Sequence, residues 1–305
     1  MRALEEKPLK VYQCTQGKSP LVAPEGVASI AEYDEKLAKS KKHRNYVEHT
    51  SYDGRKISDK NWRTISIKEN LKHQKLLFNV QNLDGTFSVV EVSHMSNYSG
   101  GDDICRNFRD ASTLLRKDDY NARDRTMAAL GRLKQPVNGQ VISRVTRTNE
   151  GHAEAFASAN RAMREYCSSV HPELVAEIDE AMGKLGVVVC DEMGGSGGLA
   201  PSGDISINLG NESHNDVYDL CRAVSTWVEV EVGDATGWYY LMPNVSIDGD
   251  PRPVAIELGT GVTIVWDGRI VAHCSSKPTV GEGNSVHGCF LGVSCTNKYG
   301  HGINV

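Results

Sequence analysis

Glu257-Leu-Gly-Thr-Gly-Val-Thr-Ile-Val-Trp266-Asp-Gly-Arg-Ile-Val-Ala-His273 is the stretch on which the fold turns. It reads as a strand end, a Gly-rich turn, a β-branched strand and a tight Asp267-Gly268 turn, after which a second apolar run carries His273. Working outward, no long helical period follows Gly186, and short apolar runs recur between turn signals at 187–190, 205–209, 226–232, 238–242, 254–258, 262–266, 270–274 and 289–293. Eight short strands at this spacing predict a jelly roll or barrel.

Upstream the pattern changes. From Gly151 to Leu185, Phe156, Ala159, Met163 and Tyr166, then Leu174, Ile178 and Met182, recur at three- and four-residue spacing, which predicts helix. His171-Pro172 divides it into two helices, because a residue before proline is driven out of the α region. Two β-rich runs, 76–80 and 87–92, flank Asp84-Gly85 and predict a hairpin. Residues 107–133 are Arg-rich and expected to be partly helical, and residues 1–35 are expected to form an irregular arm. The expected organisation is a basic N-terminal extension over 1–74 and a jelly-roll domain over 75–305. Within that domain, 75–150 form a basic, DNA-facing part, 151–186 the supporting helices, and 187–305 the metal-binding core.

With 39% hydrophobic and 24% charged residues the 305-residue chain is an ordinary globular one. Its first thirty residues hold no apolar run, so neither a leader peptide nor a membrane span is read there, and a soluble, intracellular protein with no membrane partner is expected. Eight cysteines lie scattered without a C-x-x-C pair, which predicts reduced, mostly buried thiols. The net charge of −5 conceals an asymmetry: residues 36–147 carry 22 Lys and Arg against 12 Asp and Glu, whereas 148–305 carry 8 against 21. Concentrated cationic charge suits a polyanion such as nucleic acid, since each neutralised phosphate releases a condensed counterion. It suits equally a solvated basic surface. The dense run from Lys36 to Arg44 reads as an exposed helix end or a nuclear-import patch, and a nuclear location is expected.

Ser213-His214-Asn-Asp216 spaces an imidazole and a carboxylate two residues apart, and in an extended segment both then point the same way. His273 follows near the end of a β-branched strand. Two imidazoles and one carboxylate on one face of a metal leave positions open, which a non-haem iron(II) centre needs to bind both a reductant and O2.

This layout resembles the distal half of the double-stranded β-helix oxygenases. Pro243-Asn-Val245, Gly261-Val-Thr-Ile-Val-Trp266-Asp-Gly-Arg269 and His273-Cys274-Ser275-Ser276 narrow the resemblance, over about residues 190–293, to the algal and fungal branch of the TET and base-J-binding dioxygenases. The resemblance implies an α+β fold with a double-stranded β-helix core, iron(II) held by His214, Asp216 and His273, and action on the C5-methyl group of a flipped 5-methylcytosine in methylated DNA.

In most 2-oxoglutarate enzymes an arginine about ten residues beyond the distal histidine clamps the co-substrate's far carboxylate. Here that stretch, Gly281-Glu-Gly-Asn-Ser-Val-His287-Gly, has none, and only Lys277 lies nearby. Arg269 and His287 are the available partial substitutes. The sequence is especially similar to the algal 5-methylcytosine-modifying enzyme type that uses vitamin C, in which an aspartate three residues past the metal aspartate holds the vitamin; Asp219 has that offset. L-ascorbate is therefore the expected co-substrate, with 2-oxoglutarate the alternative. A DNA-binding jelly roll without catalysis is a further alternative. Candidate substrate contacts are Ser202 and Asn208 for the base, and Arg106, Arg109, Arg116 and Lys117, with Arg123 and Arg125, for phosphates. The glycines from Gly194 to Gly198 are a candidate mobile lip, and Trp227, Trp238, Tyr239 and Tyr240 read as strand core.

Overall fold

The computed structural model describes residues 7–43, 51–115, 127–135, 139–142, 150–185, 197–217, 219–230 and 235–293. Strands β7 (Ser202–Ile207), β8 (Ala223–Glu229), β9 (Tyr239–Ile247), β10 (Pro253–Glu257), β11 (Val262–Trp266), β12 (Cys274–Ser275) and β13 (Val286–Gly292) pair as a double-stranded β-helix. One sheet runs β7-β13-β8-β11, antiparallel throughout. Facing it, His214 bridges to His273 at the start of β12, β12 pairs with β9, and β9 with β10. The chain passes repeatedly between the two sheets, with β9 and β10 paired as neighbours within one of them.

Strands β1 (Lys10–Gln16), β3 (Lys75–Gln81) and β4 (Phe87–His94) close one end of the sandwich. β1 lies between β9 and β3, and β4 pairs with β11. This corrects the expected irregular arm: β1 is a strand inside the sheet, and β2 (Arg63–Ile65) extends β10. Both partners of β1 lie more than fifty residues away in the chain, so no local turn signal announces it. The Arg-rich stretch is partly helical, as expected, and also carries a strand. Helix α2 spans Gly101–Thr113, but Met127–Gln135 forms β5, which pairs with β7 and with β6 (Gly139–Ile142). Its Met, Ala, Leu, Arg and Lys content favours helix, and pairing to a sheet edge overrides that weak preference. The expected strand at 187–190 lies outside the described residues.

Helix α3 (Glu150–Val170) ends where Pro172 begins α4 (Pro172–Leu185), as expected. Alternation along the strands separates two cores. Val224, Val228, Ile205, Cys289 and Leu291 face the helices and pack with Phe108, Phe156 and Tyr166. Trp227, Tyr240, Ile264 and Trp266 face the interior of the sandwich. The six cysteines among the described residues are free and buried, and no described helix is long and apolar enough to cross a membrane.

Candidate metal centre

His214 and His273 sit opposite each other on the bridging pair. Each backbone N–H donates to the other's carbonyl at 3.0 Å, which sets the rings 4.6 Å apart. The chain then turns so that the Asp216 N–H donates to Gly268 O at 2.8 Å, placing the carboxylate between the rings. His214 Nε2 lies 3.4 Å from Asp216 Oδ1 and His273 Nε2 3.1 Å from Oδ2. The Nδ1–H of His214 donates to Glu212 O (2.8 Å) and that of His273 to Val271 O (3.0 Å). Backbone carbonyls thus fix both ring orientations and turn both Nε2 atoms toward the carboxylate. These three ligand atoms lie within 4.8 Å of one another, a spacing that fits a single cation.

The electrostatics of the triad suit a cation. Burial pushes the Asp216 carboxyl up, but the donors on His214 and His273 outweigh it and hold it well below the usual range. Burial pulls His214 down, while Asp216 and the Glu212 carbonyl more than offset that, so its imidazole holds a proton above the ordinary value. The His214 proton occupies the place a metal would take.

The triad opens into a cavity of about 330 Å³, at the small end of ligand pockets. Asp204, Ser206, Ser225, Trp227, Trp266 and Phe290 line it from one sheet, Asn211, Tyr240 and Ser275 from the triad's side, and Asp219 from the segment after Asp216. No Lys or Arg is among the described lining residues, whereas Asp204, Asp216 and Asp219 are all there. Burial and then Asp216 raise Asp219 to about 8 and Asp204 to about 6. Three buried polar atoms of lining residues, Asp219 Oδ2, Tyr240 Oη and Trp266 Nε1, have no hydrogen-bond partner among the described residues.

Of the other sequence candidates among the described residues, Asp219 is the one that lines this cavity as a ligand-binding candidate. Arg269 forks onto Asp267 (2.8 and 2.6 Å) and donates to Leu220 O, facing a separate surface recess beside α4. The buried His287 ring bonds Ser285 Oγ and belongs to the helix-facing side of β13, opposite Gly288 and Phe290. Neither stands where an arginine clamp would. Asn208 adopts φ 46° and accepts the Val286 N–H, a turn role away from the cavity. The Ser202 backbone lies in β7, and its side chain is outside the described residues. Arg106 pairs with Asp103 and Arg109 donates to Glu229 O. Both belong to α2, which packs on the face of β8 and β13 turned away from the cavity, and so do not join the triad. Arg116, Lys117, Arg123, Arg125 and residues 194–196 of the glycine patch lie outside the described residues.

Sequence reasoning missed Asp204, Ser206 and Trp266 as lining residues and read Trp227 and Tyr240 as core alone. They are core and wall together: Tyr240 stacks on His273 at 5.6 Å and 14°. The available signal was strand alternation, which sets Asp204 and Ser206 on one face of β7.

No protein-family model matches the sequence, and no curated protein matches it. Among solved structures, the chain is similar to NgTET1 in complex with 5mC DNA, at 12% identity and a TM-score of 0.44, covering 86% of this chain and 89% of that one.

Proposed function

We propose that this protein is a non-haem iron(II) dioxygenase that modifies the C5-methyl group of 5-methylcytosine in DNA, with L-ascorbate as co-substrate and transfer of a glyceryl fragment to the methyl carbon. The observation that carries the reading is the convergence of two carbonyl-oriented Nε2 atoms and one carboxylate at the wall of a cavity that no described Lys or Arg lines. Such a donor set fits a metal that keeps open positions. Iron(II) with O2 and a reductant would supply the power to break a methyl C–H bond.

The chain's own residues favour one co-substrate over the other. A dicarboxylate such as 2-oxoglutarate would bring its far carboxylate in among Asp204 and Asp219 with no described cation to receive it, and an unpaired buried charge is expensive. An enediol lactone with several hydroxyls asks instead for acceptors and neutral donors. Asp219, whose carboxyl burial and then Asp216 push up to about 8 in the metal-free chain, can give as well as take a hydrogen bond when protonated, and Ser206 and Ser225 add hydroxyls. The aromatic walls from Trp227, Tyr240, Trp266 and Phe290 exclude water and offer ring faces for a base. The excess of Lys and Arg over residues 36–147 supports a DNA partner and a nuclear location.

The test incubates the protein and iron(II) with methylated DNA, adding ascorbate or 2-oxoglutarate alone, followed by nucleoside mass spectrometry. A nucleoside heavier than 5-hydroxymethylcytosine, formed with ascorbate alone, is the expected product. Formation of 5-hydroxymethylcytosine with 2-oxoglutarate only overturns the co-substrate, and unchanged 5-methylcytosine in both arms overturns the activity. An iron-free protein that still binds DNA would mark a binding module.

A further inference from the structure

We propose that Trp266 is a positioning residue for the metal, its indole N–H holding the Asp216 oxygen that the cation leaves free; this rests on the metal reading of the triad. Trp266 is 3% exposed, and its Nε1–H meets no acceptor among the described residues. A buried donor left unpaired costs about 1–3 kcal/mol. The ring cannot swing away to find water. It stands edge-on to His273 at 5.1 Å, and Tyr240 (5.5 Å) and Phe290 (6.0 Å) hold its other sides.

Gly268 locates the missing acceptor. A β-carbon built there would lie 2.6 Å from Asp216 Oδ2 and 3.1 Å from Trp266 Nε1, so the two polar atoms flank one small gap that glycine leaves open. Without metal, the two carboxylate oxygens are shared between the two imidazoles, one each. A cation held by both Nε2 atoms would take the place of those imidazole–carboxylate contacts. One carboxylate oxygen then faces the cation and the other loses its donor. Trp266 Nε1 and Asp216 Oδ2 border the same gap at Gly268, and a rotation of the carboxylate would bring the unpaired N–H and the freed oxygen together. Hydrogen bonding of this kind to a ligating carboxylate fixes its orientation and contributes to metal affinity.

Trp266→Phe removes the N–H and keeps most of the ring. Zinc titration of the metal-free protein should show affinity weakened by roughly 10- to 100-fold, the range for loss of such a partner, while the metal-free variant remains folded by circular dichroism. In the wild-type protein, the one of four indole N–H resonances that disappears in this variant should move downfield when zinc is added. If the variant does not fold, Phe substitutions at Trp62, Trp227 and Trp238 assign that resonance by elimination. A resonance that stays in place on zinc binding, or wild-type zinc affinity in the variant, overturns this role alone. Absence of zinc binding by the wild-type chain overturns it together with the metal reading.

Discussion

The two faces of the β7-β13-β8-β11 sheet and its β4 neighbour carry buried polar clusters that differ in how their hydrogen bonds close. On the helix side, Glu91 accepts from His171 Nδ1, Lys75 Nζ and Arg222 Nη1 at 2.7–2.8 Å. His171 Nε2 and the Tyr166 hydroxyl both meet Ser93 Oγ, and Arg222 also grips Glu177. Burial pushes the Glu91 carboxyl up, but His171 and Lys75 hold it well below the usual range. Burial keeps His171 low, so a neutral ring donates to an ionised carboxylate. On the interior side, Asp219, Tyr240 and Trp266 each leave a buried polar atom open among the described residues. A cluster that satisfies itself holds the helices to the sheet. One that does not leaves polar atoms for a bound ligand to satisfy.

Substitutions on the two sides should therefore separate stability from metal binding. The largest effect is expected at the triad: His214→Ala or Asp216→Ala should abolish turnover of methylated DNA while circular dichroism stays native. Retained turnover would remove the metal assignment. Next, Glu91→Ala should cost about 3–5 kcal/mol in chemical unfolding, because it strands the buried partners of an ion network, yet leave the zinc affinity of the folded protein unchanged. A parallel loss of zinc affinity would show that the two sides are not separate.

Gly268→Ala should weaken metal binding by about tenfold or more, on the scale of lost carboxylate orientation, since its β-carbon would meet Asp216 Oδ2 at 2.6 Å. Metal titration checks this, and unchanged affinity would mean that Asp216 has room to move.

The smallest effect is expected at Asp204. Its folded-state pKa is raised from 3.8 to about 6, by burial first and then by Asp216, so folding favours the protonated form. That contribution is fully present below about pH 4 and is lost as pH rises through 6. Asp204→Asn should therefore raise the melting temperature of the metal-free protein by about 2–4 °C at pH 8, with the gain shrinking toward pH 4. A gain equal at both pH values would contradict the assignment.

The triad and the sandwich were legible in the sequence because each rests on local signals. H-x-D fixes two side chains two residues apart, and Val262–Trp266 with its Asp267-Gly268 turn is bounded by glycines on both sides. β1 was not legible because its pairing with β3 and β9 is long-range on both edges. β5 carries helix-forming residues and is held only by its neighbours. Charge along the chain, on which the reading of Arg106 and Arg109 rests, does not report which face of a sheet a helix covers. Asp204 and Trp266 were hidden for a related reason: a strand residue is core or cavity wall according to what the opposite sheet leaves open.

Anaerobic titration of the metal-free protein with iron(II), beside the Asp216→Ala variant, tests the central claim most directly. One equivalent of iron bound per wild-type chain, with binding lost in a variant that remains folded, is the expected result. Undiminished iron binding by Asp216→Ala, or none by the wild-type chain, would contradict it.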